Sequence, residues 1–142
     1  MFRATPAVLV LCLAFCSLAA FSCDEHRIDC DKAYSTYEIN QCAAMELDKA
    51  KQQLAYYLET ALEHHSDDTE LVAAIQVAQQ DWERYANAHC QAVYTQWRDG
   101  TIRGVMALSC MTQQTHARTH ELWQRFLTFM DSTPAVLPEP GA

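Results

Sequence analysis

Three stretches of this chain repeat apolar residues at steps of three and four, with only a few residues between one stretch and the next. Ile39, Ala43, Leu47, Ala50, Leu54, Tyr57, Leu58 and Leu62 make the first stripe, and Leu71, Ile75, Ala78, Trp82, Tyr85 and His89 the second. Ile102, Val105, Leu108, Thr112, Thr115, Thr119, Leu122, Phe126 and Met130 keep the same spacing in a third stretch, although its middle is polar and Gly104 weakens its start. Such spacing puts the apolar side chains on one helix face, and the period-two alternation of strands is almost absent. Short connections make sequential helices antiparallel neighbours. The expected fold is therefore all-α, an antiparallel bundle of three long helices. A helix of about 28 residues spans ~42 Å at the standard rise per residue.

The helix ends are signalled locally. Ser35 followed by Glu38 is a capping box, in which the serine oxygen accepts an orphan amide and the glutamate reaches back. The first helix is expected to run from there to about His64. Asp67 with Glu70 reads as a second box, starting a helix that runs to about Trp97 and ends in the turn Arg98, Asp99, Gly100. A break of the third helix near Gln113 stays open. The tail from residue 132 to 142 holds three prolines and is expected to be disordered.

Ahead of the helices, Arg3 precedes an apolar run of 15 residues, Ala7 to Phe21, followed by small and then acidic residues. This is the pattern of a secretory signal over residues 1–22, since a spanning helix needs roughly 20 apolar residues. Of seven cysteines, Cys12 and Cys16 would leave with the signal, and five would remain in an oxidising compartment. An odd count fits lipid attachment at Cys23, which would leave Cys30, Cys42, Cys90 and Cys110 to pair. Against that reading, Ala20 stands where a lipoprotein usually has leucine, and Phe21 is bulky.

All four cysteines fall at one end of the expected bundle. Cys90 and Cys110 each lie ten residues from Gly100, and the segment carrying Cys30 can fold back on Cys42 in the first helix. The inferred staples are Cys30–Cys42 and Cys90–Cys110, with the other two pairings still open.

Loss of Arg3 with the signal leaves 9 Lys and Arg against 18 Asp and Glu, a net charge of −9. Nucleic acid and anionic membrane surfaces are poor partners for such a chain, and a cationic protein is a favoured one. Membrane contact is expected only through a lipid at Cys23. His116 and His120 stand four apart beside Glu121, but two histidines do not specify a metal site. His64 and His65 suit a helix C-terminus. No phosphate-binding loop, nucleophile elbow or paired acid–base arrangement is present, so neither an enzyme nor a cofactor is expected.

Taken together, "DCDKAYSTYEINQCAAMELDKAKQQL", "QQDWERYANAHC", "DGTIRGVMALSC" and "ARTHEL" resemble the LprI-like lysozyme inhibitor domain, a family of small exported bacterial helical proteins. The resemblance covers about Cys30 to Leu127. Trp82, Gly100, Arg118 and Leu122 fall on its motif positions and read as structural, with Trp82 a core residue covered by the stem of Arg118. Ala86 and Asn87 replace an arginine and an acid usual in the family. The resemblance implies an envelope protein that occludes a lysozyme cleft without chemistry of its own. The alternative is a structural or adaptor lipoprotein binding another envelope protein. Candidate contact residues are the acidic leader, with Asp24, Glu25, Asp29 and Asp31, and the exposed turn of Trp97, Arg98 and Asp99.

Overall fold

A computed structural model describes residues 28–141. The expected signal peptide and Cys23 lie outside the described residues. A single 3-10 turn at Cys30–Lys32 leads into α1 (Thr36–His64), α2 (Thr69–Gln96) and α3 (Arg103–Phe126), and no strand occurs among the described residues.

The first capping box forms as the spacing predicts. Glu38 N–H donates to Ser35 Oγ at 3.2 Å, and Ser35 N–H donates to Glu38 Oε2 at 2.8 Å. The second start moves by one residue. Asp68 caps α2 by accepting from Leu71 N–H at 2.9 Å, because its own N–H closes the preceding turn on His65 O at 2.9 Å. Two adjacent aspartates are equal candidates in sequence, and the turn chooses between them.

α3 is unbroken through Gln113 and ends at Phe126, four residues short of the periodic pattern. Its polar middle is compatible with burial because each threonine hydroxyl bonds one turn back. Thr112 donates to Leu108 O at 3.0 Å, Thr115 to Met111 O at 2.7 Å and Thr119 to Thr115 O at 2.9 Å. Thr115 and Thr119 are consequently buried without a desolvation penalty and present short side chains to their neighbours.

These short side chains make α3 the central helix. It packs on α1, which runs parallel to it, and on antiparallel α2, while the backbones of α1 and α2 scarcely approach each other. Leu54, Ile75 and Leu122, one from each helix, form one core cluster. Tyr57, Ala61 and Leu127 form a second, toward the α1–α2 turn. At the opposite end, the described structure is tied by Cys30–Cys42 and Cys90–Cys110, the inferred pairing. With loops of 12 and 20 residues, each bridge contributes about 3 kcal/mol by restricting the unfolded chain.

Residues 132–141, expected to be disordered, are instead docked. Val136 N–H donates to Leu127 O at 2.8 Å, Trp123 Nε1 to Leu137 O at 2.9 Å and the Tyr57 hydroxyl to Pro138 O at 2.8 Å. His120 Nε2 lies 3.0 Å from Glu139 Oε1. The prolines supply no N–H, so the extended backbone brings mainly carbonyls, and two core aromatics provide matching donors.

Candidate functional site

The stapled end carries both segments anticipated as contact surfaces. In the leader, Asp29 accepts from Asp31 N–H at 3.2 Å and pairs with Lys32 at 2.9 Å. Tyr34 is 93 % exposed, and Tyr37 is also largely open to solvent. In the α2–α3 turn, Gly100 N–H closes on Trp97 O at 2.9 Å, leaving Trp97, Arg98 and Asp99 exposed. Arg103 holds the turn from the other side by donating to Arg98 O at 3.3 Å, with its guanidinium 5.2 Å from the centroid of the Tyr94 ring.

α1 and α3 start side by side at this end. A β-carbon on Gly104 would stand 2.6 Å from Asn40 Oδ1, so the closeness of the two helices depends on that glycine. No hydrogen bond or ion pair joins the residues 29–31 to the turn 97–99 among the described residues. The charge there is mixed, with Asp29, Asp31 and Asp99 interspersed among Lys32, Arg98 and Arg103.

The stronger acidic surface lies at the other end. From residue 52 to residue 83 the sequence has no lysine or arginine, while Glu59, Glu63, Asp67, Asp68 and Glu70 are all exposed around the α1–α2 turn. The carbonyl ends of α1 and α3 point the same way and add negative potential. His65 Nε2 is 2.9 Å from Phe126 O, binding these ends together. Phe129 and Met130 are exposed nearby, Met130 fully so at 108 %. Hydrogen bonds from Thr133 hold the Asp131 carboxyl below its ordinary value. Counting charge over the whole chain hides this polarity, whereas the unbroken run without a cation is legible in the sequence.

The motif positions have different surroundings. Leu122 is fully buried in the first core cluster, and Trp82 is half-buried against it. Arg118, 7 % exposed, donates through Nε to Gln79 Oε1 at 3.1 Å and through Nη1 to Glu121 Oε2 at 2.8 Å, while its Nη2 has no partner. The polar hub of the α2–α3 interface is thus Arg118 with Gln79, and Gln79 Nε2 passes the chain on to Glu83 at 3.2 Å. His120 and Glu121 have separate partners, and no group of three metal-ligating side chains occurs among the described residues.

Because α1 and α2 diverge, a groove opens between them with α3 as its floor. Its main cavity, about 260 Å³, is bounded by Leu54, Leu58, Trp82 and Met111. A second cavity of about 220 Å³ continues toward the stapled end, and Lys51 and Met111 line both. No helix among the described residues is long and apolar enough to cross a membrane.

The chain resembles an uncharacterized protein of Rhizobium meliloti (strain 1021), with 28% identity over 131 residues, covering 84% of this chain and 91% of the relative. No solved structure matches it. The family model described as lysozyme inhibitor LprI matches residues 29–122, from the capped leader through all but the end of α3. The matched span includes both disulfides, Trp82, Gly100, Arg118 and Leu122, and stops short of the docked tail. The chain belongs to the lysozyme inhibitor LprI family.

Proposed function

We propose that this protein is exported to the bacterial cell envelope and inhibits a cationic lysozyme by occluding its cleft. The observation that carries the reading is the family match across nearly the whole helical core. Removal of residues 1–22 by a signal peptidase and lipid attachment at Cys23 belong to the same proposal.

A lysozyme of this kind works with two carboxyl groups flanking the sugar bond in a cleft. An inhibitor needs to fill that cleft and hold complementary charge against its rim, and its own side chains perform no chemistry. Two surfaces support the reading. The stapled end offers exposed aromatics, Tyr34, Tyr37 and Trp97, on a scaffold held by two disulfides, and aromatics of this sort supply much of the energy of protein interfaces. The α1–α2 end offers the acidic field that attracts a cationic partner.

The test is lysozyme activity on cell walls titrated with the oxidised protein, comparing Asp29→Lys/Asp31→Lys with Glu63→Lys/Asp67→Lys. Stoichiometric inhibition that weakens with salt supports the proposal, and the pair whose reversal weakens it more identifies the facing end. Full lysozyme activity at excess protein and low salt would reject it.

An adaptor lipoprotein is the second reading. It is favoured by the large apolar residues left exposed on α2, Val77 and Tyr85. It predicts recovery of a different envelope protein whose binding does not respond to salt.

A further inference from the structure

The segment after α3 sits on the helices as a ligand would. Leu137 packs with Trp123 and Phe126 against the core cluster of Tyr57, Ala61 and Leu127. Two aromatic donors hold its consecutive carbonyls, Trp123 Nε1 on Leu137 O at 2.9 Å and the Tyr57 hydroxyl on Pro138 O at 2.8 Å. On either side, Val136 N–H donates to Leu127 O at 2.8 Å, and His120 Nε2 lies 3.0 Å from Glu139 Oε1. The prolines at 138 and 140 remove two N–H groups that would otherwise need acceptors on this face. Aromatic-lined surfaces that bind proline-containing segments use the same chemistry. The connection is loose by contrast: residues 129–136 are all exposed, with a local turn in which Thr133 N–H donates to Asp131 at 2.9 Å. The family match ends at residue 122, so Trp123 and the tail lie beyond the shared core.

We propose that this face is a peptide-binding site for a leucine–proline–acid segment of another protein, and that the chain's own tail occupies it as a tethered competitor. The incoming leucine takes the place of Leu137, its own carbonyl and that of the proline accept from Trp123 and Tyr57, and the acid faces His120. Tethering keeps the tail at an effective concentration on the order of millimolar. A second copy's tail makes the same contacts without that advantage, so the partner that gains from the site is a different chain. Apparent affinity for it is lowered by the fraction of molecules whose tail is lifted. The site is independent of lysozyme inhibition and stands or falls separately.

The experiment measures fluorescence anisotropy of a labelled, amidated peptide of residues 133–141 titrated with three full-length chains: the parent, Leu137→Ala and Leu137→Asp. The substitutions weaken the tail as competitor and leave the face intact, and a thermal melt of each chain reports that it is folded. Saturable one-to-one binding is expected to be tightest for Leu137→Asp, intermediate for Leu137→Ala and about 100-fold weaker for the parent. Should Leu137→Asp not fold, Leu137→Ala and the parent carry the same comparison. A peptide with alanine in place of its leucine should bind about tenfold more weakly. Trp123→Phe, added to the best-binding chain, keeps a ring and removes the N–H, and should weaken the peptide several-fold. The proposal is overturned if no folded chain binds the peptide saturably, if parent and variants bind it alike, or if a scrambled peptide binds equally well. Sedimentation showing the parent as a dimer that the Leu137 variants dissolve would also overturn it, by making a second copy the occupant.

Discussion

Single residues decide how the two helix starts and the tail are held. Gly104 carries no side chain where α3 approaches Asn40, and an added methyl would meet a buried oxygen that has no donor of its own. Gly104→Ala is expected to destabilise the protein. In an Asn40→Ala background the same change should become stabilising by up to about 1 kcal/mol, since alanine is the better helix former. Denaturant melts of the two single variants and the double variant measure that coupling, and simple additivity would contradict the close approach.

Tyr57 makes a second residue-scale case. Burial, and to a lesser degree neighbouring Tyr56, raises its pKa above the ordinary value of 10.0. The folded state therefore favours the neutral phenol that donates to Pro138. The stability this contributes is fully present below pH 10 and is lost as the pH rises through the higher folded value. Tyr57→Phe should cost about 1 kcal/mol at neutral pH, the usual net value of one hydrogen bond. Above pH 10 the gap between the variant and the parent should narrow. A gap that widens with alkali would show that the phenol is not held neutral.

At the scale of elements, the parts legible in the sequence were those with a local cause. Apolar spacing placed all three helices, and Ser35 with Glu38 placed the start of α1, because a capping box needs only four residues. The start of α2 slipped by one residue, since Asp67 and Asp68 are chemically alike and the backbone turn selects between them. The break considered at Gln113 does not occur: the threonines of α3 satisfy their own hydroxyls, which periodicity by apolar residue type does not register. The docking of the tail is not legible in the sequence for a related reason. Its composition carries no apolar stripe, and its partners Tyr57 and Trp123 are distant in sequence. Truncation after Asp131 should accordingly destabilise the fold by about 3 to 5 kcal/mol, through the three lost hydrogen bonds of Val136 N–H, Leu137 O and Pro138 O and the exposure of Leu137 contacts. An unchanged melt of the truncated protein would mean that the tail contributes nothing. Replacing Cys90 and Cys110 together by serine should remove about 3 kcal/mol, in line with the 20-residue loop they close.

At the scale of the whole molecule, charge and rigidity are separated. The disulfides lie at one end with exposed Tyr34, Tyr37 and Trp97, and the uncompensated acids at the other. In the sequence the stapled end is conspicuous for its cysteines and the acids of the leader. Lys32, Arg98 and Arg103 offset those acids, whereas the run from residue 52 to 83 at the other end has no cation. The groove is not legible in the sequence, since it arises from α3 occupying the centre, and no residue pattern within a single helix encodes that choice.

Inhibition of lysozyme is the central claim, and the most direct measurement is the residual activity of a cationic hen-type lysozyme on cell walls, titrated with the oxidised protein at low and moderate salt. The account predicts a stoichiometric fall in activity at low salt, a weaker one at moderate salt, and a loss of inhibition when the acids of the facing end are reversed. Undiminished activity with protein in excess at low salt would contradict it, and would direct the search to other envelope partners of the same fold.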